Sequence, residues 1–199
     1  MRKATDYRPE ILKQAARLFA HKPFHEVLMD DVADKAGVAK GTLYRFYPNK
    51  EELYAAICFD WIDELTQEMR QIAGREVDVR TRLEAIMIHA IDQFRKYQDF
   101  FRVLQRQETQ QALYHNRDLL ARRAGVRDIY ARLIREGQAQ GLFRGGDATR
   151  AADMLMGMLR SLLWFGDPKQ SSRAITRGVI ELFFHGVVKN GKGARASCK

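Results

Sequence analysis

Residues 32–50 read VADKAGVAKGTLYRFYPNK, and the spacing within this stretch decides the fold. Ala33 and Ala36 are small and apolar, as a helix packed closely on a neighbour requires. Gly37 follows, where such a helix needs a residue tolerant of positive φ, and Val38 plugs the corner. Residues 40–46 form a segment too short to be stable as a helix alone, so neighbours must hold it. Asn49, with Glu52 three residues later, is a capping-box pattern that starts the next helix. Helix, glycine turn and second short helix make a helix-turn-helix, in which the second helix enters the major groove of DNA.

Working outward, a first helix is predicted over residues 8–21, with Ile11, Leu12, Ala15, Ala16, Leu18 and Phe19 on one face. Asp6 is a possible cap, and Pro9 is tolerated in a first turn. Pro23 ends this helix. A second helix is expected over residues 29–36. On the other side, residues 50–73 carry Leu53, Ile57, Trp61, Leu65, Met69 and Ile72 at spacings of four and three. A helix of that length is roughly 35 Å long, enough to leave a DNA-binding head and enter a second domain.

The charge distribution agrees with a nucleic-acid partner. The 199 residues carry a formal net charge of +9. Residues 1–50 contain ten Lys/Arg and six Asp/Glu, and residues 189–199 contain four Lys/Arg and no acid. The excess therefore lies at the two ends, and a basic N-terminal module is what phosphate binding needs. No apolar run approaches 18 residues, so no membrane span is expected. The N-terminus lacks the apolar stretch of a signal peptide, and two distant cysteines give no disulfide framework. A cytoplasmic location is expected.

The pattern AxxAGVxKGTLYxxxxxKEEL, from Ala33 through Gly37, Lys40 and Tyr44 to Leu53, resembles the DNA-binding domain of the TetR family of bacterial transcriptional regulators. The match covers about the first quarter of the chain. The resemblance implies an all-α protein: a three-helix head, then a larger helical bundle for effector binding and dimerisation. It also implies DNA contacts from the short helix. Lys40 and Thr42 lie at its start, Gly41 lets the backbone approach closely, and Tyr44 and Lys50 fit phosphate anchoring. Arg45 has a bidentate guanine contact as its strongest option. Leu43 is the packed side. Phe46 and Tyr47 stand where the family most often has histidine and phenylalanine; Tyr47 fits the core, and Phe46 either sugar, a thymine methyl or protein. Three flanking features depart from the family. Pro23 replaces a glycine serving a left-handed helix end. Leu28 and Met29 replace hydroxyl residues that cap the second helix and touch phosphate. Asp30 and Asp31 suit the helix dipole but cannot donate to phosphate.

Beyond residue 79 the pattern is helical, and no strand alternation or repeat is evident. Leu83, Ile86, Met87, Ala90, Ile91 and Phe94 form one apolar face; a short helix is expected from Asp99, and a glutamine-rich join over 105–111. Residues 119–137 give another amphipathic helix. Two last helices, over 149–165 and 171–188, are rich in apolar residues. The first is apolar nearly all round, more than a monomer core requires. In the family this place holds a four-helix dimer interface, here assigned to Met154, Leu155, Met158, Leu162, Ile180, Phe183 and Phe184; the other reading is a monomeric bundle with both helices central. Candidate lining for an effector pocket, by residue type, is Trp61, Met87, Phe94, Phe101, Tyr130 and Trp164, each of which would serve equally as plain core.

Other chemistry finds little support. Residues 186–192 imitate a phosphate-binding loop, but Gly193 replaces the needed hydroxyl residue and no strand precedes it. His21 and His25 have metal spacing for a helix, but Pro23 lies between them; the other three histidines are widely scattered, and Cys58 lies on a packed helical face. No cofactor, metal or catalytic residue is expected. The expected division is a DNA-binding head over 1–50, an effector and dimerisation body over 51–188, and a basic tail over 189–199. The expected function is a homodimeric repressor that binds a palindromic operator in double-stranded DNA and is released by a small-molecule effector. A same-fold regulator without such an effector, and a helical enzyme or carrier bearing a DNA-binding head, remain open.

Overall fold

Helix α1 (Arg8–His21) buries Ile11, Ala15, Leu18 and Phe19, the face that periodicity predicts. In the computed structural model, which describes residues 6–98 and 116–185, every regular element among the described residues is helical. Asp6 accepts the backbone N–H of Arg8 at 3.2 Å, closing the start of α1. The helix ends at Lys22 in an extended conformation, and Pro23 leads into a 3-10 turn over Phe24–Glu26. A proline cannot take the left-handed end a glycine would allow, so the chain leaves α1 straight and turns one step later.

Helix α2 (Met29–Ala36) ends at Gly37, whose φ of 65° and ψ of 34° are left-handed. Two bonds close this end. Gly37 N–H donates to Asp34 O at 3.2 Å, and Val38 N–H to Ala33 O at 3.0 Å. These are the two bonds of a Schellman motif, with half-buried Val38 packed at the corner. Helix α3 (Lys40–Phe46) follows. Helix α4 (Lys50–Ala73) starts at Asn49, whose Oδ1 accepts the Glu52 N–H at 2.8 Å while its Nδ2 donates to Glu52 Oε1 at 3.3 Å.

Helix α4 carries the core from head to body. Tyr54 meets Phe19 edge-on, with ring centroids 4.9 Å apart, inside the head. Ile62, Leu65 and Met69 are buried further along, where α4 packs on α5 (Val79–Lys96) and α6 (Arg117–Ala139). Helices α7 (Ala148–Phe165) and α8 (Ser172–His185) complete the body, α7 lying on α6 and α8 on α5. The body helices start on side-chain caps: Asp78, Asn116 and Asp147 each accept at least one backbone N–H in the first turn. Across elements, the Arg122 guanidinium of α6 lies 3.0 Å from Asp63 of α4 and 4.3 Å from the Phe59 ring centroid. Arg82 of α5 bonds both Glu136 of α6 and, at 3.0 Å, the Ala73 carbonyl that closes α4.

Two interface assignments need correction. Leu155 and Ile180 are 0% and 2% exposed and belong to the protomer's own core. Helix α7 is apolar nearly all round, so composition could not say which side faces inward; the fold turns Leu155 and Leu159 in and leaves Met154 and Leu162 out. Phe183 and Phe184 are half-buried, with Phe184 stacked on Phe143 at 4.5 Å. Phe101, the short helix from Asp99, the 105–111 join, the loop-like stretch 186–192 and the tail over 189–199 lie outside the described residues.

Gly37 has open space where a Cβ would point, so an added side chain there is opposed by conformation alone. Gly37→Ala is expected to cost about 1 kcal/mol in urea unfolding. Equal or greater stability would show that the turn tolerates a right-handed alternative.

Candidate nucleic-acid interface

Seven residues cannot hold a helix in water, so α3 is held by what it buries. Leu43 is fully buried and Tyr47, four residues on, is 8% exposed. Burial pushes the Tyr47 phenol above its ordinary value, as expected of a ring taken from water. Tyr47 is therefore a core residue and is withdrawn from the set facing DNA. On the other side, Lys40, Gly41, Tyr44 and Arg45 are exposed, and Thr42 and Phe46 are half-buried. Tyr44 keeps 44% of its surface in solvent. The Arg45 guanidinium lies 5.3 Å from the Phe46 ring centroid, so Phe46 serves as a platform for it. At Gly41 a Cβ would meet nothing within 4 Å. The protein's own packing does not require a glycine there, and in a helix one costs about 1 kcal/mol relative to alanine. The space it leaves opens outward, on the face where a duplex would lie.

The cations around this face are not equally free. The Lys40 ammonium lies 2.5 Å from Asp30 Oδ2 on α2, and Lys22 lies 3.2 Å from Asp31 Oδ2. The Asp30 hydrogen bond and charge, with Asp34 adding to the field, hold the Lys40 ammonium above the usual lysine range. Lys50 turns inward. Its ammonium donates to the Val27 carbonyl at 3.1 Å and the His25 carbonyl at 3.3 Å, and sits 4.7 Å from the Phe24 ring centroid. Phe24 in turn stacks on Phe19 at 5.5 Å. Of the three donors on an ammonium, two are engaged by the turn that Pro23 imposes. Lys50 thus ties the α1–α2 connection to the start of α4, a job that sequence reading missed. The partners are 23 and 25 positions away, and nothing local announces them.

Five of the six pocket candidates lie among the described residues. Met87 and Tyr130 are 0% and 1% exposed, and Phe94 meets Trp164 edge-on at 5.0 Å. Trp61 is half-buried on α4. Beside Phe94 on α5, Gln93 donates to Glu68 at 3.1 Å and His89 lies 2.6 Å from the same carboxylate, a polar group within the α4–α5 seam. A separate open groove of about 600 Å³ lies between α4 and α6, lined by Asp63, Thr66, Arg70, Arg122 and Gly125, and by none of the pocket candidates. Burial raises the Cys58 thiol to about 12, which makes it a packed, unreactive group.

A family model described as bacterial regulatory proteins of the tetR family matches residues 11–57, and one described as the tetracyclin repressor-like C-terminal domain matches residues 76–187. The transcriptional activator FasR of Mycolicibacterium smegmatis is 37% identical over 78 residues, 39% of this chain and 36% of that protein. The transcriptional repressor KstR2 of Rhodococcus jostii is 35% identical over 80 residues, 40% of this chain and 39% of that one. The chain thus spans little more than a third of the length of these two relatives. A FadR regulator of Bacillus subtilis, solved in complex with stearoyl-CoA, shares the fold with a TM-score of 0.76 at 20% identity, over 90% of this chain and 99% of that one.

Two substitutions separate the roles. Lys50→Met is expected to lower the thermal midpoint and leave the salt dependence of DNA binding near that of the unaltered protein. Tyr44→Ala is expected to do the reverse: near-unchanged melting, with weaker binding to all duplexes. A clearly shallower salt slope for Lys50→Met would return that residue to the phosphate contacts.

Proposed function

The chain belongs to the TetR family of bacterial regulatory proteins, and on that premise we propose that it is a homodimeric repressor released from a palindromic operator by a small-molecule effector. That it is a DNA-binding transcriptional regulator follows from the family. The observation that carries DNA reading is the two-sided α3, locked by Leu43 and Tyr47 and offering Lys40, Thr42, Tyr44, Arg45 and Phe46 outward. In the proposed division, residues 1–50 read DNA and residues 51–188 bind the effector and a second copy.

Dimerisation is supported by apolar surface concentrated on α7 and α8. Met154 is 59% exposed, Leu162 38%, Phe165 85% and Leu182 44%, with Met158 and Phe183 half-buried beside them. Singly exposed apolar residues need no explanation, but a run along adjacent helices marks an interaction face. A two-fold axis there would set two α3 helices about 34 Å apart on one side of a duplex. The proposed effector is an amphiphile with a long apolar chain, of the acyl-thioester class. The support is the shared fold with a regulator holding stearoyl-CoA. Release would come from a choice between two arrangements of the heads, with effector and operator favouring different ones. Helix α4 is the element through which body and head would communicate, since Arg122 and Arg82 fasten it to α6 and α5.

Two measurements test this reading. The purified protein should retain a duplex carrying the DNA beside its own gene, and micromolar stearoyl-CoA should release it. Retention unaffected by stearoyl-CoA, stearate and CoA alike would remove the acyl effector. The double substitution Met154→Glu with Phe165→Asp should give monomers in sedimentation without loss of helix content, and a persisting dimer would place the interface elsewhere.

A further inference from the structure

The ion pair between Lys40 and Asp30 joins the two helices of the DNA-reading motif and is not explained by the fold. Asp30 lies in the first turn of α2, where a carboxylate suits the helix dipole. That role needs no partner on α3. Yet its Oδ2 lies 2.5 Å from Lys40 Nζ, at the first residue of α3, ten positions on. Asp34, one helical turn further along α2, adds to the negative field at the same ammonium. Both residues of the pair are exposed, at 60% and 48% of their side-chain surface, so the pair lies on the outer face of the motif. Asp31 holds Lys22 in the same way at 3.2 Å. The first turn of α2 thus places two carboxylates among the cations of the head.

This arrangement has a consequence for binding. A lysine free in solvent joins any phosphate by releasing a counterion, whatever the sequence. Lys40 already has an anion. To reach a phosphate it must exchange one anion for another, and the exchange leaves Asp30 bare beside the DNA backbone. A loosely bound duplex offers nothing extra to drive that exchange. A duplex on which α3 is fully seated does, because Thr42, Tyr44 and Arg45 bring the phosphate to Lys40.

We propose that Asp30 is a specificity-setting residue: it withholds Lys40 from non-specific DNA and yields it only in the seated complex. It acts through Lys40 and is a positioning residue, not itself a DNA contact. The consequence is a lower background affinity for the genome at large, with the operator complex less affected.

The test uses the full-length protein, a short duplex of arbitrary sequence and an operator duplex recovered by selection, with affinity measured across a salt series. Lys40→Gln alone should leave binding to the arbitrary duplex nearly unchanged while weakening the operator. Asp30→Asn should tighten binding to the arbitrary duplex several-fold and steepen its log–log salt slope by about 0.9, the share of one phosphate. The operator should gain less, so discrimination falls. In Asp30→Asn with Lys40→Gln, the gain on the arbitrary duplex should vanish. A gain that persists without Lys40 would mean simple charge repulsion and would overturn the proposal. A loss of affinity in Asp30→Asn, with helix content and melting retained, would overturn it as well. So would a drop of about one slope unit on the arbitrary duplex for Lys40→Gln, the mark of a cation already free. If Asp30→Asn melts early, the Lys40→Gln measurement decides alone.

Discussion

The DNA-reading surface depends on the burial of one leucine. Helix α3 is seven residues long and has no stability of its own, so its position is set by Leu43, fully enclosed, and by Tyr47 just beyond the helix end. Burying a leucine side chain stabilises by roughly 1.5–3 kcal/mol, and here that energy also fixes a rotation. With Leu43 inward, Thr42, Tyr44 and Arg45 can only lie outward or at the margin. The Gly37 turn before it and the Asn49 cap after it set where the short helix begins and ends. The surface is rigid because its frame is core, and α4 continues that core into the body.

Much of this frame was legible in the sequence because it is written locally. A left-handed helix end needs glycine within a residue or two of the stop, and Gly37 is there. A cap is a side chain bonding backbone two or three residues on, as Asn49 does. Pro23 announced an altered exit from α1, and the 3-10 turn is its form. What was not legible depends on contacts across the fold. Lys50 looks like any cation near a DNA-binding helix; only the folded turn brings the Val27 and His25 carbonyls and the Phe24 ring to it. Asp30 read as a dipole partner because Lys40 is ten residues away across a corner. Adjacent Met154 and Leu155 are alike in composition, and only packing tells which faces out.

These particulars change how the head works. Lysines near DNA are usually counted as interchangeable positive charge, but Lys22, Lys40 and Lys50 do different things. Lys50 braces a connection, Lys22 and Lys40 are paired with acids, and the least encumbered donors are Tyr44, Thr42 and Arg45 on α3. On the role proposed for Asp30, non-specific attraction is muted and recognition rests on the short helix being seated. That demand suits a regulator controlled by the separation of two heads, because a small displacement of α3 forfeits the contacts that matter most.

The most direct test of the central claim, that a locked α3 reads DNA as one of a symmetric pair, is selection of binding duplexes from a random pool. The result expected is an inverted repeat whose half-sites are centred about one helical turn apart, with Arg45→Ala relaxing one symmetric pair of positions. Recovery of no consensus, or of a single unrepeated site indifferent to Arg45, would contradict it.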